Sequence, residues 1–286
     1  MKSLIRTIVL SFVAFCLAVP ASAGRIESYF VSSKILGEAV NYSVYLPDGY
    51  DASKSYPVIY LLHGLYGTNN DWPNNGAQMI ADELIASGEC VPAVIIMPDA
   101  GDPDVANVWN GYFNMEGWHY EDFFFTEFMP EVEAKFNAGG SKGMRAIMGL
   151  SMGGGGSVVY CQRHPEVFAS CYAMSPWLDN EVDKGITPKE KDKLYLVCES
   201  VSEHSAIEFV RNADEATVEK LRTVKWLVDC GDDDFLFDYS VQFHQEMRDK
   251  KIKNELRIRN GIHNWEYWHL ALRMALPYAS RNFSKD

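Results

Sequence analysis

"RAIMGLSMGGGGS", Arg145 to Ser157, runs a short apolar segment into a serine and four consecutive glycines. Within it, Gly149-Leu150-Ser151-Met152-Gly153 matches G-x-S-x-G, the spacing of a nucleophile on a tight strand-to-helix turn. The context fits: "RAIMGL" has strand length and composition, and "GSVVYCQRHP" after it reads as a helix. Such a turn strains the backbone of its central residue, and side chains two positions before and after it would collide with neighbouring strands. The helix it opens directs free N–H groups at any oxygen that becomes negative beside the serine. A phosphate loop is excluded, because G-x-x-x-x-G-K-[ST] lacks its lysine and G-x-G-x-x-G fails at Val158. Gly155 and Gly156 are left over by the motif. Each weakens the first helical turns by up to about 1 kcal/mol relative to alanine, so something is expected to pack closely against them.

A serine hydroxyl needs a base to take its proton and an acid to orient that base. In the order Ser, Asp, His, the acid follows a late strand and the histidine follows the last one. "VKWLVDCG" leads into Asp232-Asp233-Asp234, and "ELRIRNG" leads into His263. Among seven histidines, His263 combines the right order with a loop at a strand's end; His63 and His164 lie elsewhere, and His244 and His269 fall in helical patterns. Asp234 is the chosen acid, Asp233 the second choice, with Asp229 and Asp238 nearby. "LLHGLYG" (Leu61–Gly67) supplies a second loop at a strand end, whose Leu65 N–H would join the Met152 N–H as an oxyanion hole.

"PVIYLLHG" and "PAVIIMPD" are continuous apolar runs suited to central strands covered on both faces, whereas residues 25 to 46 alternate as an antiparallel start to the sheet. The later alternation of helix-like and strand-like segments implies an α/β fold with a mostly parallel central sheet and helices on both faces. Residues 179 to 222 resist periodic reading and are expected over one sheet edge, with a small insertion or cap as the alternative.

Lys2, Arg6, the apolar run 8–19 and Ala21-Ser22-Ala23 read as a cleaved signal peptide over residues 1–23, leaving one domain at 24–286 and a periplasmic or extracellular destination. The 286 residues carry a net charge of −13. Without the leader, 24 basic residues face 39 acidic ones with no basic block, so nucleic acid is a poor partner, and no membrane anchor is expected. Five cysteines follow the leader, without C-x-x-C spacing; they read mainly as buried hydrophobes, and no metal or organic cofactor is implied. Oligomeric state is not readable.

The segments "LLHGLYG", "VIIMPDA", "YEDFFFTEFMPEVE", "MGLSMGGGG", "DCGDDDF" and "GIHNWEYW", in this order, resemble the esterase family of α/β-hydrolases that includes feruloyl esterases, acetylxylan esterases, esterase D and the mycolyltransferases. The resemblance implies Ser151 as nucleophile, Asp234 as acid and His263 as base. It also implies an ester substrate, with carbohydrate esterases favoured for an exported chain: feruloyl or acetyl groups on xylan. Trp109, Tyr112, Trp118 and Trp265 are the expected aromatic substrate contacts, since flat apolar faces suit sugar and hydroxycinnamoyl rings. An acyltransferase, a peptidase, a general short-chain esterase and an inactive glycan-binding module are the competing readings.

Overall fold

The computed structural model describes residues 23–180 and 187–284; the expected leader lies outside them except for Ala23. The strands are β1 (Arg25–Ser32), β2 (Ala39–Leu46), β3 (Val58–Leu62), β4 (Val94–Pro98), a two-residue hairpin β5 (Asn114–Met115) and β6 (Trp118–His119), then β7 (Arg145–Leu150), β8 (Ser170–Met174), β9 (Lys225–Gly231) and β10 (Asn254–Arg259). Eight of them form one sheet in the order β1-β2-β4-β3-β7-β8-β9-β10. β1, β2 and β4 pair antiparallel, and every pairing from β4 to β10 is parallel. The apolar runs take the middle because their residues are buried on both faces. In β3, Ile59 and Leu61 join one hydrophobic cluster while Val58, Tyr60 and Leu62 join the other. Each such side chain contributes about 1.5–3 kcal/mol, so this strand anchors both layers.

The helices are α1 (Asp71–Asn74), α2 (Ala77–Ala86), α3 (Tyr120–Phe123), α4 (Met129–Phe136), α5 (Ser151–Arg163), α6 (Lys193–Glu203), α7 (Ala206–Asn212), α8 (Glu215–Leu221), α9 (Phe237–Asp249) and α10 (Trp265–Asn282). A π-helical turn, Phe124–Phe128, joins α3 to α4. One sheet face is covered by α2 and α10 through Ile80, Leu84, Ala271 and Leu272; the other is covered by the α3–α4 unit, α5 and α9 through Phe124, Phe128, Tyr160 and Phe243. No helix among the described residues is long and apolar enough to cross a membrane.

Residues 179–222 do not simply lie over a sheet edge. They hold α6, α7 and α8, and α7 packs against α5 and α9 as an outer layer on one face. Val197 with Val201, Ile207 with Val210, and Val218 with Leu221 recur at helical spacing and enter the core. Among the cysteines after the leader, Cys161, Cys171, Cys198 and Cys230 are buried and Cys90 is half-buried, all as free thiols.

Candidate active site

Ser151 stands at the C-terminal end of β7 and begins α5, with φ of +53°. This left-handed backbone is costly for a residue with a β-carbon, and packing must impose it. The glycines permit that packing. A β-carbon at Gly153 would lie 2.4 Å from the His63 carbonyl oxygen, and one at Gly155 would lie 2.1 Å from the Trp177 carbonyl oxygen. At Gly156 it would meet the Tyr112 ring at 3.0 Å. The surplus glycines therefore let the start of α5 approach two loops: the Trp177 N–H donates to the Ser151 carbonyl at 2.9 Å, tying the loop after β8 to the turn.

The structure brings Ser151, His263 and Asp234 together from three strand ends. His263 Nε2 is 3.0 Å from Ser151 Oγ, and Nδ1 is 2.9 and 3.0 Å from the two Asp234 carboxylate oxygens. An ionised carboxylate only accepts, so Nδ1–H donates to Asp234 and Nε2 is left to accept from the serine. Asp233 is exposed on the same turn, and its neighbour Asp232 accepts the Gly261 N–H at 3.0 Å. Of the two acids weighed, Asp234 is the one in contact with His263. Burial opposes the Asp234 charge, but the bond and charge of His263, the Leu236 N–H and the Ser175 hydroxyl hold its pKa below the ordinary aspartate value.

The His263 loop is fixed from behind. Asn264 caps α10 by accepting the Tyr267 N–H. The Tyr267 hydroxyl donates to Asp229, a fully buried carboxylate that also takes bonds from Tyr172 and Arg259. The His263 ring lies edge-on to Trp268 with centroids 4.8 Å apart, and Trp268 donates its indole N–H to Ser175.

On the other side, a β-carbon on Gly64 would sit 3.4 Å from the Ser151 β-carbon, which places the start of the 64–67 loop beside that serine. Leu65 faces the same cavity as Ser151. Met152, buried, is the second residue of α5, where backbone N–H groups have no acceptor within the helix. His63, at the head of this loop, is a buried structural residue: its Nε2 accepts the Ala100 N–H at 2.9 Å and Nδ1–H donates to the Gly64 carbonyl. Burial lowers its pKa to about 4 and keeps it neutral.

Ser151 opens into a cavity of about 400 Å³ with Leu65, Tyr66, Trp177, Phe235, Trp265 and Trp268 in its walls. Of the four aromatics expected to touch substrate, the structure places only Trp265 here. Tyr112 is buried against α5, with its hydroxyl donating to the His63 carbonyl at 3.0 Å. Trp118 is buried, donates to the Gly111 carbonyl, and stacks on Trp109. Trp109 lies between Trp118 and Lys193, on a separate cleft. The hairpin β5–β6 packs on α3 and α6, and Tyr112 sets its ring edge-on to Tyr120 and Tyr160. Trp177, Phe235 and Trp268 take their place in the cavity. The signal for them is positional: Trp177 follows the end of β8, Phe235 follows Asp234, and Trp268 is one helical turn past Trp265.

Three likenesses join this geometry. A solved ferulic acid esterase superposes with a TM-score of 0.89 at 42% identity, covering 91% of this chain and 99% of that one. An endo-1,4-beta-xylanase/feruloyl esterase of Xylanibacter ruminicola is 33% identical over 151 residues, which is 51% of this chain and 20% of that protein. An esterase of Mycobacterium tuberculosis is 32% identical over 153 residues, 53% of this chain and 32% of that protein. The chain thus matches only a fifth to a third of the length of these two curated relatives. Residues 33–279 match the family described as "Putative esterase"; the chain belongs to this esterase family, with the α/β-hydrolase fold.

Proposed function

We propose that the protein is an exported serine carboxylesterase that hydrolyses hydroxycinnamoyl esters of plant cell-wall polysaccharide. The observation that carries this is the cavity: Ser151 opens into about 400 Å³ walled by aromatic rings, a volume in the range of small-molecule sites and far more than an acetyl group fills. The 42% identity to a ferulic acid esterase over nearly the whole of both chains supports the same acyl group.

In this reading His263 Nε2 takes the Ser151 proton as Oγ attacks the ester carbonyl carbon. The tetrahedral oxyanion is held by the Leu65 and Met152 N–H groups, and Asp234 stabilises the imidazolium. Collapse expels the sugar alcohol, which takes the proton from His263 and leaves an acyl-serine. Water then repeats the sequence, releasing the acid and restoring Ser151. Every proton and leaving group is handled by side chains and water, so the route calls for no metal or organic cofactor. The leader expected at residues 1–23 would bring the enzyme to a polymeric substrate outside the cytoplasm.

The test is release of ferulate from methyl ferulate and arabinoxylan fragments beside release of p-nitrophenol from its acetate. Ser151→Ala should remove all three activities without lowering the melting temperature. Hydrolysis of the acetate alone by wild type would make the protein a short-chain esterase, and unchanged turnover in Ser151→Ala would remove the serine mechanism altogether.

A further inference from the structure

One acidic residue in the wall of the cavity has no part in this reaction. Asp71, the first residue of α1, is the one acidic residue in its wall, which apart from Ser151 and His263 is otherwise apolar and aromatic. It ends the same loop that begins with Gly64 beside Ser151. Among the described residues no lysine, arginine or histidine forms an ion pair with it. Its Oδ1 accepts only a long bond from the Thr68 N–H at 3.3 Å, while Oδ2 lies close against Gly67. Burial raises its pKa, as expected of a carboxyl drawn from water without a cation to offset the loss.

We infer that Asp71 determines specificity by accepting the ring hydroxyl of a hydroxycinnamoyl group. This rests on the substrate reading above and narrows it to acyl groups carrying a free phenol. Aromatic walls suit a flat aryl ring, and a partly desolvated carboxylate there needs a donor that is itself uncharged and borne on an apolar body. A phenolic O–H meets both requirements and gives a charge-assisted bond. Methylating that oxygen removes the donor and leaves the carboxylate desolvated against an ether, the situation in which a buried polar site discriminates most strongly. A purely structural Asp71, holding Thr68, would be indifferent to the substituent.

The experiment compares kcat/KM for methyl p-coumarate and methyl 4-methoxycinnamate, which differ only in that hydroxyl, in wild type and Asp71→Asn. Reading both esters on one protein divides out any general loss of folding or catalytic power. Wild type should favour the hydroxy ester by about tenfold or more. In Asp71→Asn, whose Oδ1 still accepts from Thr68 while an amide N–H replaces the second oxygen, the ratio should fall to near one or invert. A wild-type ratio near one overturns the assignment without any variant, and so does a ratio unchanged in Asp71→Asn. Failure of wild type to cleave either ester while it still cleaves p-nitrophenyl acetate instead overturns the underlying substrate reading, and this assignment with it.

Discussion

Gly155→Ala sets helix propensity against close packing at one atom. Alanine in the interior of α5 should gain about 1 kcal/mol over glycine. The new β-carbon, however, would sit 2.1 Å from the Trp177 carbonyl oxygen and 3.0 Å from its carbon. Reaching ordinary contact requires roughly 1 Å of movement, by helix or by loop, since non-bonded carbons settle at about 3.5–4.0 Å. Neither side yields easily: the obstacle is backbone, and the loop is tied to Ser151 by the Trp177 N–H. Overpacking of this kind costs about 1–3 kcal/mol, and rigid backbone at the contact puts the cost in the upper half, about 2–3 kcal/mol. The net loss is then about 1–2 kcal/mol, or about 2–8 °C in melting temperature for a chain of this size. Because the same movement displaces the Trp177 wall and the Ser151 carbonyl, kcat/KM should fall by up to about 100-fold. Thermal melts by circular dichroism and rates on p-nitrophenyl acetate measure both. Gly156→Ala is the comparison, since there the neighbour is the Tyr112 side chain at 3.0 Å, which needs only a few tenths of an ångström. A Gly155→Ala protein that melts at or above wild type would mean that propensity outweighs this contact and that the loop yields freely.

Two further outcomes follow from the geometry. Asp234→Asn should lower kcat by about 10⁴-fold, because an amide beside Nδ1 favours the wrong imidazole tautomer, while exposed Asp233→Asn should change it less than threefold; steady-state kinetics with equal effects in both would contradict the contact seen with His263. His63, lowered to about 4 by burial, would by itself lose the protein stability as pH falls from about 6.5 towards 4, since the unfolded chain takes up a proton that the native one refuses. Asp99, 3.7 Å away and raised to about 7 by burial, has the opposite sign, binding a proton in the native state that the unfolded chain has released above about 4. The two nearly cancel between pH 4 and 6.5. Asp99→Asn should therefore unmask an acid lability approaching one proton, about 1.4 kcal/mol per pH unit, in urea melts at pH 5 and 6; an unaltered pH slope would show that the pair does not exchange one proton for another.

The fold was legible wherever burial is written into a strand. Runs such as Val58–Leu62 and Val94–Pro98 are apolar at every position because both faces are covered, and the turn at Ser151 has a local cause in its flanking glycines. The contact of His263 with Asp234 was legible as chain order. The choice among adjacent aspartates depends on which carboxylate the turn directs inward, a matter of backbone direction that composition does not carry. Tyr112 and Trp118 show the harder case. An aromatic residue on a loop near a strand end can line a site or fill the space beneath it, and for Tyr112 the decision rests with distant partners, Gly156 and the His63 carbonyl. The segment 179–222 offered more than its hydrophobic period. Asp192, Ser205 and Asp214 each accept an N–H three residues on and start α6, α7 and α8, so capping residues marked three helix starts where the apolar pattern was too short to.

The order of strands also separates the partners in robustness. Ser151 ends a central strand with neighbours on both sides, whereas His263 follows β10, the sheet edge, which is hydrogen-bonded to β9 alone. Edge elements open locally at lower free energy than the strands they flank. Partial detachment of β10 would withdraw His263, the proposed base, while leaving Ser151 and most of the core in place. Loss of turnover would then precede loss of secondary structure on warming, making the enzyme's own activity a local thermometer for one edge of its sheet.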